Sequence, residues 1–519
     1  MPSPVIDSSA LPVPLSQRLN SLGAQLTTRR IAICALVLGC VLASACSPFS
    51  QSESGDNAIY DYLAQSILRG QMPYRDAVEM KSPGSVYISA FAMLAGRLLG
   101  LSDVMAVRWL YILLTGLFSL ILYLVAEVYL RNRWGAIIAF LFPLMVTRIP
   151  AMFNGGTQPK LPMMIFALLS ILCIQRDRPF MAGVWSMLSC ICWQPGLLFT
   201  GTAFLIFSKY LTSWRDLRAV RVLAGAILPL GVLLLYFYLR GALADLWSWT
   251  IVFNYSVFAP ESQRSLSEAA GKIWTVSNRI FGIYMPFVVV GLIGFIVALT
   301  QGLRSRLVRR DITELHRDAI IIPFVVYLLF CLVNFQSGPD LIPFFPFLGL
   351  FIGLFVLEVV RFMSAKQPLR GSLAGAFEWA PPAVCALMLL GALVRGAFYK
   401  VDSPTLQTQE QAVAQIGSLI GPQDKIYVHG TVEVLVLLNR ANINPYIALD
   451  GGADLFIASR KAGGFDDVIN EIESEKPRLV CISRLQNVRK RAELERWVQD
   501  HYDRVPMIVY DRVYLRKPE

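Results

Sequence analysis

From Gly55 to Gly84 the chain reads GDNAIYDYLAQSILRGQMPYRDAVEMKSPG, gathering Asp56, Asp61, Asp76, Glu79 and Lys81 just beyond a hydrophobic span. Carboxylates close to one amine suit proton transfer coupled to charge stabilisation. A carboxylate removes a proton from a hydroxyl while a cation receives the charge that builds up on a leaving group. Asp56 fits the role of base, but an acidic residue opening a helix also caps its free amides, and position alone does not separate the two. Lys81 precedes Ser82, Pro83 and Gly84, where a new apolar run begins. A lysine beside the free amides of a helix start suits a phosphate at headgroup depth, and it suits equally a snorkelling anchor.

The elements that must position these residues are set by composition. Of 519 residues 55% are hydrophobic and 16% charged, and apolar runs of roughly 20 residues, the length that crosses a bilayer as helix, recur along the chain. Spans are expected near 31–49, 108–129, 135–149, 161–175, 181–193, 196–208, 222–240, 281–300, 319–334, 341–360 and 380–398. The fifth and sixth are short and break at Trp193, Gln194, Pro195 and Gly196. The net charge of +11 does not indicate nucleic acid, because the basic residues cluster between apolar runs, as the positive-inside rule expects. Residues 1–30 read as a disordered cytoplasmic lead-in. Cys46 closes LASAC, which resembles a lipoprotein cleavage site, but the many later spans favour an uncleaved signal anchor.

The apolar stretch 84–101 decides the topology. Were it a full crossing, clusters at 131–133, 176–178, 209–221, 304–317 and 361–370, with 16 Lys and Arg between them, would face outward. Keeping them inside requires 84–101 to be re-entrant or interfacial. The expected fold is then a polytopic α-helical membrane protein of about eleven transmembrane helices plus this juxtamembrane stretch, with a first outer loop at 50–107 and a small C-terminal α/β extracytoplasmic domain at 400–519. In that domain KIYVHG (425–430) and RLVCIS (478–483) read as strands, VPMIVYDRVYLR (505–516) as a terminal hairpin, and VEVLVLLNR and FDDVINEIESE as helices. Gly451 and Gly452 read as a turn, not a phosphate loop. The helix that carries Asp56, Ile59, Tyr60 and Leu63 is expected to lie amphipathically along the membrane surface.

The order of features here, an acidic residue after the first span, a Tyr-Leu-x-Ala-Gln helix, PYRD, acidic-x-Lys-x-Pro-Gly and a hydrophobic run ending LLG, resembles the GT-C superfamily of membrane glycosyltransferases. The likeness is to its bacterial branch related to protein O-mannosyltransferases and to lipid A aminoarabinose transferase. Trp193-Gln194-Pro195-Gly196 is similar to that family's Lys-Gln-x-Gly kink, SGPDLIPFFPFLGL (337–350) to its Leu-Pro-x-x-Pro-Phe span, and KIYVHG followed by LLNR (437–440) to the start of its outer domain. The resemblance implies transfer of a sugar from a polyprenyl-phosphate donor to an acceptor hydroxyl on a glycan, lipid or protein, with inversion. It implies Asp56 as catalytic base or its electrostatic partner, and Glu79 and Lys81 near the donor phosphate. Asn57 stands where mannosyltransferases have glutamate, Met80 where many relatives have histidine, and Asp340 where related chains often carry histidine.

Arg75, Arg108, Arg148 and Lys160 are further outer cations; Arg148 and Lys160 also read as interfacial anchors. Gln158 and Asn154 are placed to bind sugar or are ordinary loop polarity, and Gln194 lies at the tip of the short span pair. No cofactor is expected. His316, His429 and His501 lie far from the first loop in the sequence reading, and an acidic-x-acidic pair in the second outer loop is absent, so metal-independent transfer is expected. Two other classes fit the spans or the tail: a polyprenyl-lipid or glycan transporter or flippase, and a non-catalytic glycan-binding scaffold. The first needs ionisable residues at mid-depth and repeat symmetry, which the sequence lacks; the second leaves the acids of the first loop without a purpose. A bacterial cell-membrane location is expected, with the N-terminus cytoplasmic.

Overall fold

The computed structural model describes residues 28–209, 216–261, 264–306, 312–365 and 379–518. Residues 1–27 of the expected lead-in and parts of the basic clusters at 209–221, 304–317 and 361–370 lie outside them, while residues 28–30 already belong to helix. Helix α1 (Thr28–Ala45) enters the bundle and ends in the first loop, which holds α2 (Gly55–Leu68) and α3 (Gly84–Leu98). The bundle continues as α4 (Asp103–Leu130), α5 (Arg133–Met145), α6 (Arg148–Asn154), α7 (Lys160–Gln175), α8 (Pro179–Cys192), α9 (Leu197–Lys209) and α10 (Arg218–Leu239). After α11 (Leu243–Trp247) and a wide-turn π-helical segment (Ser248–Phe258) come α12 (Leu266–Phe281), α13 (Met285–Arg306), α14 (Ile312–Asn334), α15 (Phe344–Ala365) and α16 (Ala380–Ala397).

Seven of these stretches are long and apolar enough to cross a membrane, and the pair α5 and α6, bent by 71°, makes an eighth if taken as one span. Each expected span falls on helix, but α7, α8 and α9 have 16, 14 and 13 residues. At 1.5 Å per residue each is shorter than the roughly 30 Å hydrocarbon layer. The cause for α8 and α9 is local: Pro195 and Gly196 interrupt the helical ladder between them. The stretch 241–279, between two expected spans, is largely helical among the described residues, and α12 opens on a capping box in which Ser265 and Glu268 satisfy each other's backbone amides.

Helix α3 is too short to cross a bilayer alone. Its 15 residues rise only about 22 Å. Arg97 pairs with Asp103 at 2.8 Å and Gln65 donates to Asp103 at 2.9 Å, tying the tail of α3 and the body of α2 to the start of α4. Phe91, Leu94, Leu98 and Leu99 stay exposed, as expected of an apolar face turned to lipid. At the opposite end of the bundle the basic loops meet: Arg218 reaches Asp177 at 3.3 Å, Lys209 pairs with Asp318, and His316 meets the Gln175 carbonyl at 2.9 Å.

Helix α2 departs from expectation. Ala58 through Ser66 are all buried, Asp61 and Gln65 among them, so the helix is a buried wedge and not a surface float. The bundle covers one side and the C-terminal domain the other. Tyr62 accepts from the Asn442 amide at 2.9 Å, and Gln65 donates to the Val436 carbonyl at 3.1 Å.

That domain comprises α17 (Leu406–Ser418), β1 (Ile426–His429), α18 (Glu433–Leu438), α19 (Ala453–Ala458), α20 (Phe465–Ser474), β2 (Leu479–Ile482), α21 (Arg491–His501), β3 (Tyr502–Val505) and β4 (Val513–Arg516). Its sheet has the order β1-β2-β4-β3, with β1 and β2 parallel and the other two neighbouring pairs antiparallel. The terminal hairpin starts at Tyr502, earlier than the expected 505, because β3 leaves α21 without a loop. Helix α21 was not anticipated: its polar sequence RAELERWVQDH buries only Leu494, Trp497 and Val498.

Within the bundle α8 and α10 touch backbone to backbone. A Cβ on Gly183 would lie 1.9 Å from the Val222 carbonyl oxygen, and one on Gly225 2.0 Å from that of Phe180. Small residues at such crossings let helices gain packing where lipid offers no hydrophobic drive. Gly225→Val is therefore expected to force α8 and α10 apart at a cost of about 1–3 kcal/mol, seen as a lower unfolding midpoint of the purified protein, whereas Gly231→Ala, at a position with open space, should leave it unchanged.

Candidate functional site

Asp56 lies in the first turn of α2, where the free amides favour a carboxylate. It is not the cap: Ser54 holds that position, and its side chain makes no capping bond. Instead Asp56 Oδ2 accepts from Lys81 Nζ at 2.9 Å. Lys81 also donates to the Tyr60 hydroxyl and sits 5.0 Å from the centre of its ring. Tyr60 lies one turn after Asp56, on the same face of α2. The loop that delivers Lys81 is held from several sides. Tyr74 donates to the Lys81 carbonyl at 2.6 Å, Gln194 and Asn254 donate to the Met80 carbonyl at 2.7 and 2.8 Å, and the Val78 amide donates to Pro445 of the C-terminal domain at 2.9 Å.

This pair opens into a cavity of about 640 Å³. Its floor carries a second ion pair, Lys160 to Asp340 at 3.0 Å, with the Lys160 ammonium 4.4 Å from the Trp193 ring centre. Asp340 Oδ2 accepts from the amides of Gln336 and Ser337 at 2.6 and 3.0 Å, fixing the loop before α15. Gln158 and Gln194 also line the cavity, as do Tyr255 and Phe258 of the π-helical segment. Leu197 and Tyr255 are 52% and 75% exposed, so the rim reaches the apolar surface of the bundle.

The electrostatics follow the geometry. Lys81 holds the Asp56 carboxyl down at about 2 against the burial that would raise it, helped by Lys160 and by Arg484 from the C-terminal domain. Burial opposes the Lys81 ammonium, but Asp56, Tyr60 and Glu79 outweigh it and push its pKa well above the usual lysine value. Burial raises the Glu79 carboxyl despite the attraction of Lys81, and its Oε1 has no hydrogen-bond donor.

Of the residues singled out in the sequence, Asp56, Lys81, Gln158, Lys160, Gln194 and Asp340 meet in this cavity, and Glu79 stands behind Lys81. Arg75 points away, paired with Asp76 at 2.9 Å and donating to the Arg240 carbonyl at 3.3 Å. Arg148 donates to the Arg279 carbonyl at 2.8 Å and is not in the wall. Asn154 is turned inward, donating to the Pro150 carbonyl at 2.6 Å. Arg108 is wholly buried beneath the first loop, paired with Glu53 at 2.8 Å and donating to the carbonyls of Pro48 and Asn154, each at 3.2 Å. Sequence reasoning did not single out Glu53, Asn254 or Arg484. Glu53 had no signal, since the burial of Arg108 that demands an acid shows only in the structure. Arg484 had none, because it follows β2 more than 400 residues from Asp56. Among the described residues no three His, Cys, Asp or Glu side chains come together to hold a metal ion.

A helical bundle with this first loop, a broken short-helix pair and a capping α/β domain has the GT-C fold seen in ArnT and in an archaeal oligosaccharyltransferase. It is similar to ArnT from Cupriavidus metallidurans bound to undecaprenyl phosphate, with TM-score 0.59 and 12% identity over 98% of this chain and 100% of that one. The apo form of that ArnT gives TM-score 0.60 and 14% identity, over 96% and 100% of the two chains. The oligosaccharyltransferase of Archaeoglobus fulgidus, solved with zinc and sulfate, gives 0.53 and 10%, over 93% of this chain and 73% of that one. No family model and no curated protein sequence matches the chain.

Beneath the site, Arg108 faces two buried acids, Glu53 and Asp61. Asp61 accepts from the Thr157 amide at 3.3 Å and from its hydroxyl. Glu53 Oε1 and Asp61 Oδ2 lack donors, and both face Gly156. One guanidinium cannot neutralise two desolvated carboxylates, so the group is completed by a proton. Burial raises Glu53 well above the usual carboxylate range and Asp61 from 3.8 to about 6. A raised acid contributes stability that is complete below its unfolded value and is lost as pH climbs through the folded one. The unfolding midpoint is thus expected to fall from about pH 4 through about pH 6, and Asp61→Asn should flatten that dependence in a thermal-shift series.

Proposed function

We propose that this protein is a membrane glycosyltransferase that moves a sugar from a polyprenyl-phosphate donor to an acceptor hydroxyl with inversion. The observation that carries this reading is the Asp56–Lys81 pair, held at 2.9 Å in a cavity whose rim reaches the lipid-facing surface. An isoprenoid tail lies along the apolar rim near Leu197, and the donor phosphate takes up Lys81. The acceptor hydroxyl gives its proton to Asp56 as its oxygen bonds the anomeric carbon. The bond from that carbon to the phosphate oxygen breaks, and the leaving phosphate keeps the electron pair opposite Lys81 and Lys160. With Lys81 engaged by phosphate, Asp56 loses part of what depresses it and becomes a stronger base at the moment of transfer. The basic loops at the far end of the bundle favour a cytoplasmic position for that end, with the cavity and its C-terminal domain outside.

A transporter or a passive scaffold has no use for a carboxylate and an amine pinned together by Tyr60, Tyr74 and the carbonyl clamp on Met80. The test supplies undecaprenyl-phosphate-linked sugars and envelope glycans to the purified protein in nanodiscs and measures released undecaprenyl phosphate. Asp56→Asn is expected to cut turnover about 10²–10⁴-fold while leaving undecaprenyl phosphate binding in place, and Lys81→Met to weaken that binding. Equal turnover by wild type and Asp56→Asn would remove Asp56 from the mechanism. Because Asp56 titrates at about 2 beside Lys81, the wild type should show no acid limb from it near pH 4. In Lys81→Met the carboxyl climbs toward its ordinary 3.8 and the acid limb of residual kcat/KM moves up in pH.

A further inference from the structure

A second cleft of about 410 Å³ lies where the first loop meets the C-terminal sheet. That volume falls in the range of roughly 300–1,000 Å³ typical of small-ligand sites. Ser54 belongs to the walls of both cavities, two residues before Asp56. Gln409, at the inner edge of the cleft, clamps the loop by accepting from the Glu53 amide at 2.7 Å and donating to the Glu53 carbonyl at 2.8 Å. The wall shared with the catalytic cavity is therefore rigidly placed.

The chemistry of the lining is selective. Glu433 is 8% exposed, and its side chain makes no ion pair among the described residues. Tyr510 is 6% exposed and its hydroxyl has no hydrogen-bond partner. Buried polar groups in native proteins are almost always satisfied, so the Tyr510 hydroxyl on the cleft wall calls for a partner that a ligand can supply. The cleft offers an anion little: Arg512 is already paired with Glu495 at 3.2 Å. A metal ion fares no better, because Glu433 and Asp511 are the only acids of the lining and no three His, Cys, Asp or Glu side chains gather among the described residues. Ser52, Ser54, Thr431 and Ser483 add hydroxyls between the apolar patches of Pro404, Ile482 and Val509. Hydroxyls and the carboxyls of Glu433 and Asp511 alternating with apolar surface match a neutral saccharide, whose ring presents hydroxyl edges and apolar faces.

We propose that this cleft, through Ser52, Glu433 and Tyr510, binds an uncharged saccharide portion of the acceptor and leads it past Ser54 to the Asp56 carboxylate. The assignment as acceptor subsite rests on the transferase reading above; the assignment of saccharide chemistry to the cleft does not. Arg484 stands between the two cavities: it acts electrostatically on both Asp56 and Glu433, and its guanidinium would lie 3.2 Å from a Cβ on Gly55.

The test uses the full chain in fluorescent nanodiscs on a printed array of neutral and anionic saccharides, with positives titrated in solution and undecaprenyl phosphate binding measured in parallel. Wild type is expected to bind at least one neutral saccharide. Glu433→Ala and Tyr510→Phe should each weaken that binding about tenfold, the loss of one hydrogen bond in a desolvated site. Ser52→Phe, which fills the cleft, should abolish it, and all three variants should bind undecaprenyl phosphate as the wild type does. No neutral saccharide bound, anionic saccharides alone bound, or binding that survives Ser52→Phe and Glu433→Ala overturns the proposal. Saccharide binding with this variant pattern but without undecaprenyl phosphate binding upholds the cleft and overturns the donor reading instead.

Discussion

An arginine with no accessible surface has to be neutralised where it stands, and the arrangement around Arg108 organises the cavity end of this molecule. Its guanidinium takes Glu53 at 2.8 Å together with the carbonyls of Pro48, Gln51 and Asn154. This ties the chain after α1 to α4 and to the end of α6 in one desolvated knot. Breaking such a pair by removing one partner costs about 3–5 kcal/mol, because the other charge is left buried. The geometry it enforces reaches upward. Glu53 is three residues before Asp56, and its backbone is gripped by Gln409 of the C-terminal domain. The start of α2 is thereby fixed from below by the bundle and from above by the sheet domain.

With α2 immobilised, the remaining charges divide into those that hold structure and those left to face the cavity. Arg108, Glu53, Asp61 and Asp76 are consumed by local bonding. Asp56 and Lys81 are bonded to each other but remain accessible, at 61% and 21% of their side-chain surface. Asp56 is open only toward the cavity, since bundle and sheet domain surround it elsewhere. An ion pair at a cavity wall can exchange partners with an incoming anion at little cost. Lys160 and Asp340 repeat the theme on the floor, 180 positions apart in sequence and brought to 3.0 Å by the packing of α7 beside the loop that precedes α15.

The legible part of this design is the part with local causes. Apolar runs place helices wherever they occur, and the break at Pro195–Gly196 falls where two residues disfavour the ladder. The basic clusters argue against a crossing at 84–101, and α3 is short, with its tail tied to α2 and α4. Asp56 and Lys81 stand out because an acid and an amine flank a span start within 25 residues of each other. What resisted reading were partnerships. Arg108 looks from sequence like one more outer cation, yet a residue 55 positions earlier neutralises it completely. The face of α2 opposite the bundle looks solvent-exposed until Asn442, 380 residues away, meets Tyr62.

The sequence by itself determined that this is a polytopic helical membrane protein with a sheet-bearing tail, and where its helices begin and break, because hydrophobic length and backbone propensity act within a few residues. It also determined that one loop carries the acid and the amine fit for transfer chemistry. Only the tertiary structure decided which charges are spent on folding and which face the cavity, that α2 is a buried wedge, and that the C-terminal domain brings Arg484 to the Asp56 carboxylate. Those outcomes depend on desolvation and on distances of a few ångströms between residues far apart in the chain, and a linear pattern carries no record of either.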